Sequence, residues 1–61
     1  MNKIEIYLNG QYQFSAAAKT AKEVVQRVKD KGMIWYHGIN GLVEKPIKPT
    51  DRITGRRAGR I

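Results

Sequence analysis

The sequence contains no cysteine and a single histidine. No disulfide can therefore stabilise the fold, no thiolate can bind zinc, and one histidine does not form a structural metal site by itself. A chain of 61 residues buries only about 60% of the surface that its unfolded form exposes. We expect no metal, no cofactor and one small apolar core, with a partner subunit as the remaining source of stability.

Long apolar segments are also absent. The longest uninterrupted apolar runs are AAA at residues 16–18 and MIWY at residues 33–36, and neither is long enough to cross a bilayer. No apolar stretch of signal-peptide length follows the first residues. Because the lack of cysteine is compatible with a reducing compartment, we expect a soluble cytoplasmic protein that does not bind membranes.

Acidic residues are scarce as well. Five Asp and Glu stand against twelve Lys and Arg, which gives a formal net charge of +7. Residues 1–44 carry six basic and four acidic side chains, a net +2, whereas residues 45–61 carry six basic and one acidic, a net +5. Positive charge concentrated in this way raises encounter rates with polyanions.

The segment KIEIYLNGQYQF at residues 3–14 predicts a β-hairpin, because apolar and polar residues alternate on both sides of Asn9 and Gly10. A two-residue loop there would leave each face of the hairpin mixed. A three-residue loop that includes Leu8, with Gly10 in the left-handed region, separates an apolar face from a polar one, and burial favours that register. It pairs Ile6 with Tyr12 and Ile4 with Phe14.

The segment TAKEVVQRVKDKG at residues 20–32 predicts an α-helix. Thr20 and Glu23 have the spacing of a capping box, and Gly32 is a typical left-handed stop. One stripe of the helix is apolar and would pack on a sheet. Its members are Ala21, Val24, Val25 and Val28.

The remaining segments predict short strands. GMIWYHG at residues 32–38 has two apolar faces, which is typical of a central strand, and residues 39–44 and 51–54 favour further short strands. The predicted fold class is α+β with the order ββαβ(β), a hairpin and one helix packed on one face of a small mixed sheet. We expect a domain over residues 1–54 and a flexible basic tail over residues 55–61.

This order of elements resembles that of ubiquitin-like β-grasp domains over roughly residues 3–54. The shared features are an N-terminal hairpin with a turn closed by glycine, one helix and a returning strand. Members of that family that act as sulfur carriers or conjugated modifiers end in a diglycine. Because this chain ends in Arg60 and Ile61, the resemblance implies a fold but not that activity.

Basic residues near the C-terminus are the first candidate site. Arginine can donate two hydrogen bonds to one phosphate and does not lose its charge. The alternative is that these residues only keep the chain solvated. The predicted nucleic-acid-binding residues are Lys45, Lys48, Arg52, Arg56, Arg57 and Arg60.

Aromatic residues are the second candidate site, with two alternative arrangements. If Trp35 and His37 share the outer face of the sheet with Tyr7, they form a platform on which bases can stack. If Trp35 points into the core instead, Ile34 and Tyr36 point outward and leave an apolar patch that suits a protein partner.

These features predict a small basic accessory protein that binds nucleic acid with little sequence preference. The alternative is a protein-interaction module, either a homodimer or a small regulator or inhibitor of a larger protein, that uses an exposed apolar strand face around residues 33–37. No nucleophile has a base at a suggestive spacing, and one helix on a small sheet leaves little room for a pocket. We therefore expect no enzymatic activity and no small-molecule substrate.

Overall fold

The chain begins with a β-hairpin, and the computed structural model describes all 61 residues. Strands β1 (Asn2–Leu8) and β2 (Gln11–Ala18) are joined by a two-residue loop in which Asn9 and Gly10 have φ of +52° and +85°. Positive φ at both positions is the geometry that Asn-Gly loops favour, since it matches the twist of the flanking strands. The predicted three-residue loop is therefore wrong, although Gly10 is left-handed as expected.

A β-bulge in β2 restores the separation between an apolar and a polar face of this hairpin. Tyr7 pairs with Tyr12, but the next pair is Ile6 with Phe14, so Gln13 is the extra residue on β2. The bulge buries Phe14 opposite Ile6, as the alternation requires, and it does so without lengthening the loop. Tyr12, which was predicted to share the apolar face, lies on the outer face instead.

The last strand, β5 (Ile53–Arg60), pairs antiparallel with β1 and completes a sheet of order β2-β1-β5. The predicted flexible tail at residues 55–61 is wrong, because this strand continues to Arg60. An edge strand with one buried residue, Ile53, carries no alternation of apolar residues that a sequence pattern would reveal. The predicted mixed sheet is also wrong, because every strand pairing is antiparallel.

Helix α1 (Ala21–Lys31) has the predicted ends. The hydroxyl of Thr20 accepts a hydrogen bond from the Glu23 amide at 3.2 Å, and Gly32 ends the helix with φ of +73°. These contacts satisfy backbone groups that lack partners inside the helix. The apolar stripe faces the sheet and buries Val24 and Val28.

Strands β3 (Met33–Gly38) and β4 (Gly41–Pro46) form a separate two-stranded sheet. The prediction of a central strand at residues 32–38 is wrong, since β3 pairs only with β4. Ile34 nevertheless joins the core, where it is fully buried. The α+β class and the order of the elements are as predicted, with three strands after the helix.

The core lies between the three-stranded sheet and α1, so the opposite face of that sheet is open. On the helix side of the sheet, Gly55 has no room for a side chain. A Cβ atom there would lie 2.9 Å from Cγ2 of Val25 and 3.2 Å from Cδ1 of Ile6. No helix in the structure combines the length and apolar character that crossing a membrane requires. The core residues are Ile4, Ile6, Leu8, Phe14, Ala18, Val24, Val28, Ile34 and Ile53.

Hydrogen bonds of Asn9 connect the turn before β5 to the first hairpin loop. The backbone N–H of Asn9 donates to the carbonyl of Arg52 at 2.8 Å, and the Arg52 N–H donates to the Asn9 side-chain oxygen at 2.9 Å. The Asn9 side-chain amide also donates to Asp51 at 3.2 Å, and Asp51 accepts from the Lys48 N–H at 2.8 Å. These bonds fix where β5 begins.

Candidate nucleic-acid interface

A row of aromatic rings crosses the open face of the three-stranded sheet. Tyr7 of β1 and Tyr12 of β2 are cross-strand neighbours whose ring centres lie 5.9 Å apart in an edge-to-face arrangement. His37 of β3 stacks on Tyr12 with ring centres 6.0 Å apart and planes inclined by 19°. The row therefore joins the two sheets and brings together two of the predicted site residues, Tyr7 and His37.

Tyr12 is the member of this row that the sequence analysis missed. The bulge at Gln13 shifts the alternation of β2 by one residue and exposes 46% of Tyr12. Its hydroxyl is hydrogen-bonded to that of Ser15 at 2.8 Å, which holds the ring in place. With a two-residue Asn-Gly loop, the alternation of β1 and that of β2 would put apolar and polar residues on the same face. This mismatch is the signal that would have predicted the bulge.

Arg56 lies at the other end of the row. Its guanidinium is 6.0 Å from the centre of the Tyr7 ring, and its Nη2 lies 2.7 Å from Oε1 of Glu5. The hydrogen bond from Arg56 and a second one from the Tyr7 hydroxyl lower the pKa of Glu5. The same contacts raise the pKa of Arg56 and of Tyr7. Arg56 is thus held over the face, but its charge is balanced by a carboxylate.

The other two arginines of β5 are not paired with acids. Arg57 lies opposite Ile4 and Arg60 opposite Asn2, so both belong to the helix side of the sheet, whereas Arg56 belongs to the open face. Both are exposed at the edge of the sheet, where long side chains border either face. Charged side chains on an edge strand also hinder pairing with another chain. The position of these arginines therefore has a structural reason of its own.

The three remaining basic candidates lie at the opposite end of β5. Lys45 and Lys48 border a shallow depression beside the Asn9 loop, and Arg52 precedes the strand. Hydrogen bonds from the Lys48 N–H and from Asn9 lower the pKa of Asp51, which keeps a negative charge among these cations. An antiparallel strand of this length spans about 25 Å. Arg56, Arg57 and Arg60 thus lie toward one end of β5 and the other three candidates near its opposite end, so the six do not form one compact patch.

Trp35 and Tyr36 lie apart from the aromatic row. Trp35 is 37% exposed and borders an open cleft of about 240 Å³ between α1 and the strands β2 and β3. Lys31 lies 5.5 Å from the centre of the Trp35 ring and also pairs with Glu44 at 2.6 Å. Tyr36 is half-buried on the other face of β3, with Lys45 at 4.9 Å from its ring centre. The predicted aromatic platform therefore contains Tyr7 and His37, whereas Trp35 and Tyr36 lie elsewhere.

An exposed apolar surface does occur, but it lies further along the chain than predicted. Ile34, which the second arrangement placed outside, is buried. Three of the exposed apolar residues lie near the turn of the β3–β4 hairpin, a surface that we call the hairpin tip. They are Ile39, Leu42 and Val43.

Comparison with known proteins returns no significant match to a protein family, to a curated protein or to a solved structure.

Proposed function

We propose that this protein binds nucleic acid with little sequence preference, as a binding protein and not an enzyme, in the cytoplasm. The observation that supports this best is the aromatic row on the open face of the sheet, which ends at Arg56 and lies beside an arginine-rich edge strand. Rings that contact bases, together with cations that contact the backbone, are the usual components of a surface that binds single strands.

In this proposal the phosphate backbone follows β5. Arg57 and Arg60 carry no ion pair and are exposed, so they supply the main contacts at one end of the strand. Lys3 adds a further cation, because it alternates with Ile4 and therefore lies on the open face beside Gly59. The period of two along β1 was sufficient to place Lys3 there, although the sequence analysis did not select it.

Fluorescence anisotropy with labelled oligonucleotides tests the proposal. Each phosphate contact contributes about 0.7 to the logarithmic salt slope on single strands and about 0.9 on duplex DNA. Replacing both Arg57 and Arg60 by alanine should therefore weaken binding and flatten the slope by about 1.4 on a single strand. Arg27→Ala is the control, since Arg27 is exposed on α1 and borders the cleft away from β5.

A titration at low salt can reject the proposal. Electrostatic contacts are strongest at low salt, so a nucleic-acid-binding protein of this charge must bind at about 50 mM salt. No binding there to single strands or to duplexes ends the proposal. A loss in the Arg27 control that equals the loss per arginine removed in the double variant, in the logarithm of the affinity, would show that net charge, and not β5, determines the affinity.

A second candidate function is favoured by the hairpin tip. Ile39 is fully exposed and Leu42 is half-exposed, although the neighbouring His37 stacks on Tyr12 of β2. Apolar side chains presented together suit a protein partner or a second copy of the chain. Sedimentation at several concentrations tests the homodimer, and Leu42→Ser should then favour the monomer without affecting oligonucleotide binding.

A further inference from the structure

We propose, as an extension of the nucleic-acid-binding function on which this inference rests, that the ligand is a single strand whose unpaired bases stack on Tyr12. This assigns the preference for single strands to the aromatic row and the general affinity for polyanions to β5. Tyr12 is the binding residue in this proposal. Tyr7 and His37 position its ring.

The tyrosine rings of the row differ in how accessible they are to a ligand. Tyr7 is half-buried, its hydroxyl donates to Glu5, and Arg56 lies over its ring, so little of it remains for a ligand. Tyr12 is the most exposed tyrosine, and its hydroxyl is held by Ser15. A ring that is exposed yet already oriented loses little conformational entropy when a base stacks on it.

The unpaired positive charges lie to one side of the aromatic rings. In the middle of the open face, Arg56 is balanced by Glu5, whereas Lys3 and the arginines at the edge form no salt bridge. Neighbouring strands lie about 4.8 Å apart, so Tyr7 is about 5 Å and Tyr12 about 10 Å from the line of β5. A backbone that follows β5 can thus direct its bases across the strands toward Tyr12.

A duplex and a single strand present different groups to this surface. In a duplex the faces of the bases are stacked on one another, so only phosphates and groove edges are available for contact. The edge strand would contact phosphates of either form equally well. The aromatic row gives extra affinity only to bases whose faces are free, and this predicts discrimination in favour of single strands.

The test compares three probes at one salt concentration. They are an oligothymidine of about twelve nucleotides, the duplex that it forms with oligodeoxyadenosine, and inorganic polyphosphate of similar charge. Wild type should bind the single strand about tenfold more tightly than the duplex. Tyr12→Ala should lose about 5- to 100-fold on the single strand, and it should change by less than about twofold on the duplex and the polyphosphate.

Two further variants separate the role of the ring from a structural role. Tyr12→Phe keeps the ring and loses only the hydroxyl, so it should retain most of the single-strand preference. Tyr12→Leu keeps an apolar side chain on the strand and lacks the aromatic face, so it should lose the preference even if Tyr12→Ala fails to fold. Circular dichroism checks the fold of each variant before titration.

The outcomes distinguish this inference from the function on which it rests. If no probe binds wild type, the proposed function itself is wrong. If all three probes bind equally and the alanine and leucine variants behave as wild type, the protein binds polyanions but this inference is overturned. A single-strand preference that disappears in Tyr12→Ala and Tyr12→Leu, and persists in Tyr12→Phe, supports it.

Discussion

Arg56 donates two hydrogen bonds to a single carboxylate oxygen of Glu5, through Nη2 at 2.7 Å and Nε at 3.2 Å. The two residues are cross-strand neighbours on β5 and β1, separated by 51 positions in the sequence. The most basic segment of the chain is therefore partly neutralised by an acid from its first strand. The positive charge of the open face depends on this pair.

Glu5→Gln should increase the affinity for oligonucleotides. The change removes the negative charge and leaves Arg56 free to contact phosphate, while the side chain keeps its size. We expect severalfold tighter binding at about 50 mM salt, and a salt slope on single strands that is steeper by up to about 0.7. Anisotropy titrations across a series of salt concentrations measure both quantities.

Glu23→Gln is the matched control for this prediction. It also removes one negative charge and frees one arginine, Arg27, but it does so on the exposed surface of α1. An equal gain in both variants would mean that net charge alone acts and that the open face has no special role. A gain confined to Glu5→Gln supports the face as the binding surface.

Truncation tests the finding that residues 55–60 belong to the sheet. Deleting residues 55–61 removes most of β5 and leaves β1 with one hydrogen-bonded neighbour. One side of the core between the sheet and the helix is then exposed to solvent. We expect the truncated protein to lose cooperative thermal unfolding, because a domain of this size is only marginally stable and the deletion removes the strand segment that packs on α1 at Val25. Trp35 fluorescence and circular dichroism report the transition.

Deleting Ile61 alone is the control for the truncation. Ile61 is exposed and makes one backbone hydrogen bond, to Met1. This deletion should leave the melting temperature nearly unchanged. A folded protein after removal of residues 55–61 would contradict the assignment of β5 and restore the interpretation of a basic tail.

Local patterns predicted those parts of the fold that local physics determines. Thr20, Glu23 and Gly32 marked the ends of the helix correctly, because caps depend on residues within one turn. The register of the first hairpin was harder to predict, because a longer loop and a bulge at Gln13 would each put apolar residues on one face and polar residues on the other. The choice between them depends on the strong preference of Asn9 and Gly10 for a two-residue loop.

The candidate site was less predictable, because its contacts join distant segments. Alternation along β1 placed Tyr7 on the open face, but the position of Tyr12 depended on the bulge. The contact between Tyr12 and His37 depends on how β3 packs against β2, and no strand pairing between them exists to suggest it. Likewise, charge counting identified Arg56 but could not identify its partner Glu5.

Gly55→Ala should destabilise the fold. The added Cβ would lie 2.9 Å from Val25 and 3.2 Å from the carbonyl oxygen of Ala21, which is part of the helix backbone and cannot move alone. Overpacking of this kind typically costs about 1–3 kcal/mol. Chemical denaturation followed by Trp35 fluorescence measures the loss.

A double-mutant cycle with Val25→Ala identifies the cause of that loss. Shortening Val25 removes the nearest clashing atom, so the double variant should be less destabilised than the sum of the single variants. The expected coupling between contacting residues is about 0.5–3 kcal/mol. Additive effects would show that alanine is harmful at position 55 for a different reason, such as the approach of its Cβ to the Ala21 carbonyl oxygen at 3.2 Å.

Asp51 should contribute stability that depends on pH. Its carboxylate accepts from the Lys48 N–H and from Asn9, and these bonds lower its pKa below the ordinary aspartate value of about 3.9. The contribution is therefore complete above that ordinary value and is lost as the pH falls through the lowered pKa. Asp51→Ala should unfold at a lower urea concentration than wild type at about pH 7, and the difference should shrink steadily as the pH falls below about 3.9. A difference that persists unchanged in acid would mean that the carboxylate charge is irrelevant, and that Asp51 supports the start of β5 only through its shape.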